Sequence, residues 1–135
     1  MTFLVDTNVL SEGLRPRPND QVLEWLETYQ EDVVINSVIL GEILYGVLKL
    51  PPGRRRRAME AWFEDGVRRI VCLAWDPATA IRWARLLSDL RRAGREMPVK
   101  DSMIAATALL NRLTLVTRNE HDFTGIGVRV INPFE

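Results

Sequence analysis

The chain has 135 residues, 47% of them hydrophobic, with 18 basic residues balanced by 18 acidic ones. That length buries a core without covalent staples, the single cysteine excludes an intramolecular disulfide, and a balanced charge excludes a generic polyanion binder. No run approaches the roughly 18 apolar residues of a membrane span, and no signal-peptide pattern opens the chain, so a cytoplasmic protein with one domain over residues 1–135 is expected.

The first element, Phe3-Leu4-Val5, reads as a buried central strand running straight into Asp6, Thr7 and Asn8. Residues 11–19, with Pro16 and Pro18, read as a loop, and Asn19 or Asp20 caps a helix carrying Val22, Leu23, Leu26 and Tyr29. Val33-Val34-Ile35 is a second strand. Asn36 and Ser37 open a helix with Ile39, Leu40, Ile43, Leu44, Val47 and Leu48 apolar, which stops before Pro51-Pro52. The segment from Arg54 to Arg69 is amphipathic through Met59, Trp62, Phe63 and Val67. Ile70 to Leu73 is a third strand, with Cys72 expected in the core. Asp76-Pro77 starts a helix that runs to about Gly94, and Pro98 precedes another that holds Asp101 in its first turn. Thr114 to Thr117 and Val128 to Ile131 complete five strands.

Short strands alternating with helices predict a three-layer α/β/α sandwich with a mainly parallel five-stranded sheet. Right-handed crossovers then force a topological switch beside the first strand, which is where ligands bind in such sheets. Two basic groups, Arg54 to Arg57 and Arg82, Arg85, Arg91, Arg92 and Arg95, read first as solvated helix faces. A nucleic-acid role for either needs an independent reason.

Three acids fall at corresponding places: Asp6 after the first strand, Glu42 on the helix after the second, and Asp101 at the start of the helix before the fourth. The polar run Thr117-Arg118-Asn119-Glu120-His121-Asp122 follows the fourth strand. Each acid has a local reading: Asp6 caps a turn with Thr7 and Asn8, Glu42 pairs with Arg118 or a lysine, and Asp101 sits at the positive end of its helix. Gathered in one partly desolvated pocket, however, the acids repel one another and take up protons unless a cation is present. A hard divalent ion, Mg²⁺ or Mn²⁺, with oxygen ligands resolves that conflict. The lone His121 reads as an exposed loop residue.

These motifs, in order and over nearly the whole chain, resemble those of PIN-domain proteins of the VapC type, with FitB-like proteins as close relatives. The carrying residues are Leu4 to Leu10, Ser37 to Ile43 with Tyr45-Gly46, Asp101 to Ala108, Thr117 to Phe123, and Val130 to Pro133. The resemblance implies a Mg²⁺- or Mn²⁺-dependent endoribonuclease, the toxin of a toxin–antitoxin pair. It places Asp6 and Asp101 as principal metal ligands, Glu42 as the third acid that positions or deprotonates water, and the fourth catalytic position on Asn119. Asparagine brings no charge, so the resemblance stops short of a second metal site, and Asp122 is offset from that position. Thr7, Ser37 and Thr117 match pocket-lining positions that orient the acids, and Asn8 a structural turn residue. Arg118 is a candidate contact for RNA phosphate. Implied partners are RNA as substrate, a small antitoxin and a second copy of the chain, with DNA reached only through the antitoxin. Trp25, Trp62 and Trp83 are the expected apolar contacts for that antitoxin.

Two rival readings remain at this level. One is a phosphohydrolase with Asp6 as covalent nucleophile, for which Lys100 is available but Asn8 stands where a second acid is wanted. The other is a metal-binding module without turnover, favoured by Asn119.

Overall fold

The computed structural model describes residues 2–135. Its sheet has five strands, β1 (Phe3–Val5), β2 (Val33–Asn36), β3 (Val71–Leu73), β4 (Thr114–Val116) and β5 (Val130–Ile131), in the order β3-β2-β1-β4-β5. Every pairing is parallel, with Leu4 beside Val34 on one side and Leu115 on the other. The chain therefore winds outward from β1 in one direction, returns, and winds outward in the other. Connections leave the carboxyl ends of β1 and β4 in opposite directions, which opens a crevice between them.

Six helices cover the sheet: α1 (Thr7–Leu10), α2 (Asp20–Tyr29), α3 (Ser37–Leu48), α4 (Arg54–Asp65), α5 (Pro77–Arg92) and α6 (Val99–Asn111). Both neighbours of Leu4 along β1, Phe3 and Val5, point to the opposite face, so the central strand is apolar throughout. On one face Leu4, Ile39, Phe63, Leu86, Ile104 and Leu115 form the larger core with α3 to α6. On the other, Phe3, Val5, Val9, Val22 and Val116 pack beneath α1 and α2. Ala105, Ala106 and Ala108 are buried in α6. Their small side chains let that helix approach the sheet closely. Caps lie where the polar residues predicted them. Asn19 accepts from the amides of Gln21 and Val22, Asn36 from Ile39, and Asp76 from Thr79 ahead of Pro77.

Asp6 caps the one-turn helix α1, as its local reading predicts. Three expectations change. The loop after α1 contains a 3₁₀ turn, Glu12–Leu14, in which the Glu12 side chain is buried and accepts from the Asn19 amide at 2.8 Å. Cys72 is exposed rather than in the core, because β3 is an edge strand, where Val71 is also 62% exposed. The three tryptophans are partly buried instead of exposed. Trp25 packs edge-on against Phe3 at 5.1 Å, Trp62 lies against the larger core, and the Trp83 indole donates to Ser102 Oγ at 2.9 Å. Exposed apolar side chains are instead Tyr45 and Leu48 on α3, Ile81 and Leu87 on α5, and Val99 and Leu110 on α6. Among the described residues, no helix is long and apolar enough to cross a membrane.

Candidate active site

Asp6 lies at the carboxyl end of β1, in the crevice, and is only 6% exposed. Its Oδ1 accepts from the Thr7 amide at 2.8 Å, and its Oδ2 from Thr117 Oγ1 at 2.8 Å and Asn8 Nδ2 at 3.4 Å. All three donors are neutral, so they orient the carboxylate without cancelling its charge. Burial accordingly pushes the Asp6 carboxyl above the usual range, opposed by the bonds from Thr117 and Thr7, and Glu42 adds to the rise.

Glu42 reaches the same crevice from α3. Its Oε1 accepts from Thr7 Oγ1 at 3.4 Å, and its Oε2 faces Lys100 Nζ at 3.3 Å. The expected structural partner of Glu42 is therefore this lysine and not Arg118. Asp101 stands one residue beyond Lys100, in the first turn of α6. Burial, then the charges of Asp6 and Asp122, a hydrogen bond with Asp122 and the charge of Glu42 push its carboxyl up to about 6. A hydrogen bond between two carboxyl groups requires a proton on one of them.

Asp122 is the acid that sequence spacing undervalued. It lies on the 3₁₀ turn Glu120–Phe123, which the fully buried Phe123 ring anchors and the Asp122 amide closes on Asn119 O at 3.0 Å. Arg95 braces the same turn from outside by donating to the carbonyls of Thr124 and Asp122. The apolar side chain after an acid was a readable sign of such an anchor.

The other predicted residues divide. Thr7 and Thr117 contact acids as above. The Thr117 hydroxyl is fully buried and also accepts from Asn8 Nδ2 at 3.3 Å and the Asn119 amide at 3.1 Å. Ser37 does not touch an acid: it is exposed, and its hydroxyl donates to Leu73 O and accepts from the Trp75 amide, tying α3 to the end of β3. Asn119 is exposed, and its side chain shares no hydrogen bond with the acids among the described residues. Arg118 is exposed, with its guanidinium 4.8 Å from the centre of the Phe134 ring. Asn8 is more than a turn residue. It joins Asp6 and Thr117 through Nδ2 and accepts from the Arg118 amide through Oδ1, stitching the ends of β1 and β4 together. Asn36 was likewise missed: besides capping α3 it donates to Thr107 Oγ1 at 3.0 Å, setting the spacing between the helices that carry Glu42 and Asp101.

Asp6, Glu42, Asp101 and Asp122 are thus mutually coupled at one edge of the sheet, with Lys100 the cation beside them. Among the described residues, no three acidic, histidine or cysteine side chains stand in a ready-made metal-holding set. The donor set is all oxygen and carries excess negative charge in a partly desolvated crevice. That chemistry fits a hard divalent cation that keeps several waters.

The domain model "PIN domain" matches residues 3–127, a span containing all four acids. The chain belongs to the PIN-domain family. Among similar PIN-domain proteins, Toxin FitB of Neisseria gonorrhoeae is 34% identical over 98% of this chain and 98% of its own. The tRNA(fMet)-specific endonuclease VapC of Shigella flexneri is 32% identical over 94% and 93%. The solved structure of FitAB bound to an IR36 DNA fragment superimposes with a TM-score of 0.93 at 33% identity, covering 99% of this chain and 96% of that one. The PIN-type sheet predicted from the sequence is the one observed. Both oxygens of Asp6 are engaged by orienting donors, which suits a ligand held in one position better than a covalent nucleophile.

Proposed function

We propose that this PIN domain is a Mg²⁺- or Mn²⁺-dependent endoribonuclease and the toxin of a toxin–antitoxin pair. The observation that carries the reading is the convergence of Asp6, Glu42, Asp101 and Asp122 on one crevice, with Asp101 raised to about 6 by burial and by its acidic neighbours. Such a cluster is costly to hold and is accounted for by a cation that the fold is built to receive.

Asp6 and Asp101 would hold the ion, with Glu42 as third acid. When bound, a hard divalent cation offsets charge developing on phosphoryl oxygens and acidifies a water for attack on a phosphodiester. The chain's own groups do the rest. Thr7, Thr117 and Asn8 keep the Asp6 carboxylate in one orientation. Glu42, half-buried on one side of the crevice, is the base that takes the proton of the attacking water. Lys100 balances Glu42 until substrate arrives. Asp122 supplies the carboxylate that Asn119 lacks, which weakens the case for a module without turnover.

The partners proposed are RNA as substrate, a small antitoxin that covers the crevice, and a second copy of the chain. The names of the relatives support this: one is a tRNA-specific endonuclease, and others are solved as toxin–antitoxin complexes with DNA. Contact with DNA is assigned to the antitoxin, and the compartment to the cytoplasm. The test is incubation of purified, antitoxin-free protein with pooled cellular RNA in Mg²⁺ or Mn²⁺, in EDTA, and with Asp6→Asn. Discrete cleavage that needs both metal and Asp6 is expected. Folded protein that binds the metal but cuts nothing overturns the reading.

A further inference from the structure

The four acids of the crevice leave a physical problem for a ribonuclease: their negative charge repels the substrate backbone. Some other surface must attract it. Charge on this chain is balanced overall but segregated in space. The stretch from Asp20 to Asp32, α2 and the turn after it, carries five acids and no lysine or arginine. It covers the sheet face opposite α5. Helix α5 carries Arg82, Arg85, Arg91 and Arg92 against the single acid Asp89.

Arg82, Arg85, Asp89 and Arg92 are spaced by three, four and three residues, so they lie along one helix face. Arg85 and Arg92 are exposed and Arg82 half-buried. Arg92 is paired with Asp89 at 2.7 Å, whereas Arg82 and Arg85 face no acid within ion-pair distance among the described residues. Two adjoining concavities run along this face. One, of about 310 Å³, is lined by Arg82, Arg85, Ser88, Asp89 and Arg92. The next, of about 200 Å³, shares Arg82 and Asp89 and continues to Arg95, Gly125 and Ile126. Arg95 is the residue that braces the turn holding Asp122. The basic strip therefore leads from the outer face of α5 to the loop that supplies an acid of the crevice.

We propose that the Arg82–Arg85–Arg92 face of α5 is the phosphate-binding track on which single-stranded RNA is held beside the acidic crevice. The track rests on the ribonuclease reading for its purpose. Its physical basis is separate: guanidinium groups at helical spacing bind successive phosphates by point charge and fork geometry, with no dependence on base identity. Arg54 and Arg55 on α4 serve as the comparison, since they also present basic charge but line neither concavity.

The experiment measures binding of a fluorescein-labelled oligouridine of about 15 nucleotides to the full chain in EDTA, as a function of salt. Arg85→Gln/Arg92→Gln is expected to weaken binding by about tenfold near 0.1 M salt and to flatten the log–log salt slope by about 1.4. Arg85→Lys/Arg92→Lys should retain most of the affinity, and Arg54→Gln/Arg55→Gln should match the wild type. Circular dichroism checks that each variant is folded. Equal loss in the α4 and α5 variants, or no change in either, overturns the track. So does an altered particle mass by light scattering with RNA affinity unchanged, which would make the strip a protein contact. If the wild type cuts no RNA but the α5 variant still loses affinity as predicted, the ribonuclease reading falls and the track stands. If the wild type cuts RNA and the α5 variant binds and cuts equally well, the track falls alone.

Discussion

Asp101, in the first turn of α6, and Asp122, on the turn after β4, are close enough at the carboxyl edge of the sheet for Asp122 to hold the Asp101 carboxyl above its usual range, in addition to the effect of burial. A hydrogen bond between two carboxyl groups forms only when one is protonated, so the pair ties the metal-free state of the site to pH. Asp101 has a folded-state pKa of about 6, above its ordinary 3.8. The folded chain then binds the proton more tightly than the unfolded one, and stability falls as pH rises between those two values. Asp6, raised in the same direction, adds to the slope. In EDTA the Tm should drop as pH rises through about 4 to 6. Saturating Mn²⁺ should remove or reverse the drop, and Asp122→Asn should reduce it. A Tm that rises steadily over this window in EDTA would contradict the coupling.

The same pairing makes Asp122 the candidate for the fourth acid. Asn119 is exposed and separate from the acids, whereas Asp122 is coupled to Asp101. Asp122→Asn should therefore slow RNA cleavage by at least about tenfold, while Asn119→Ala changes it little. Single-turnover rates on one RNA separate the two.

Asp6→Asn should abolish cleavage without unfolding the protein. The amide oxygen can still accept from Thr7 N, its NH2 takes the place of Oδ2 and can donate to Thr117 Oγ1 instead of accepting from it, and the change removes a charge whose burial is unfavourable. In EDTA the variant's Tm should equal or exceed that of the wild type. A collapse of Tm would make Asp6 a structural cap first.

Thr117→Val removes the buried 2.8 Å bond to Asp6 and the acceptor of the Asn119 amide, and leaves Asn8 Nδ2 with only its 3.4 Å bond to Asp6. A loss of about 1–3 kcal/mol is expected from the unsatisfied groups. Urea denaturation checks it, and Thr117→Ser, which keeps the hydroxyl, should recover most of the loss.

Lys100 is 63% exposed, so its pair with Glu42 contributes little to stability. Lys100→Gln should leave the urea midpoint nearly unchanged. It should also tighten Mn²⁺ binding measured by calorimetry, because the cation then has no competitor for Glu42. Weaker Mn²⁺ binding would show that Lys100 organises the site rather than competing within it.

Local patterning determined a great deal of this protein. The apolar run Phe3-Leu4-Val5, the caps Asn19, Asn36 and Asp76-Pro77, and the alternation of short β-branched runs with helical periods were enough to set five parallel strands and their order of appearance. Asp6 and Asp101 could be read from local pattern, because one follows a strand and the other begins a helix and the topology sends those places to one edge, whereas Glu42 lies midway along α3 and reaches the crevice through packing. What tertiary structure alone decided are relationships between segments distant in sequence. Asp122 joins Asp101 because the buried Phe123 ring pins its turn beneath α6. Asn8 bridges to Thr117 because β1 and β4 are neighbours. Ser37 turns away toward β3. Cys72 stands exposed because its strand is an edge, a property of strand order that no local pattern encodes. Periodicity reports which face of an element is apolar, and only packing decides what that face, and each polar side chain at its margin, will meet.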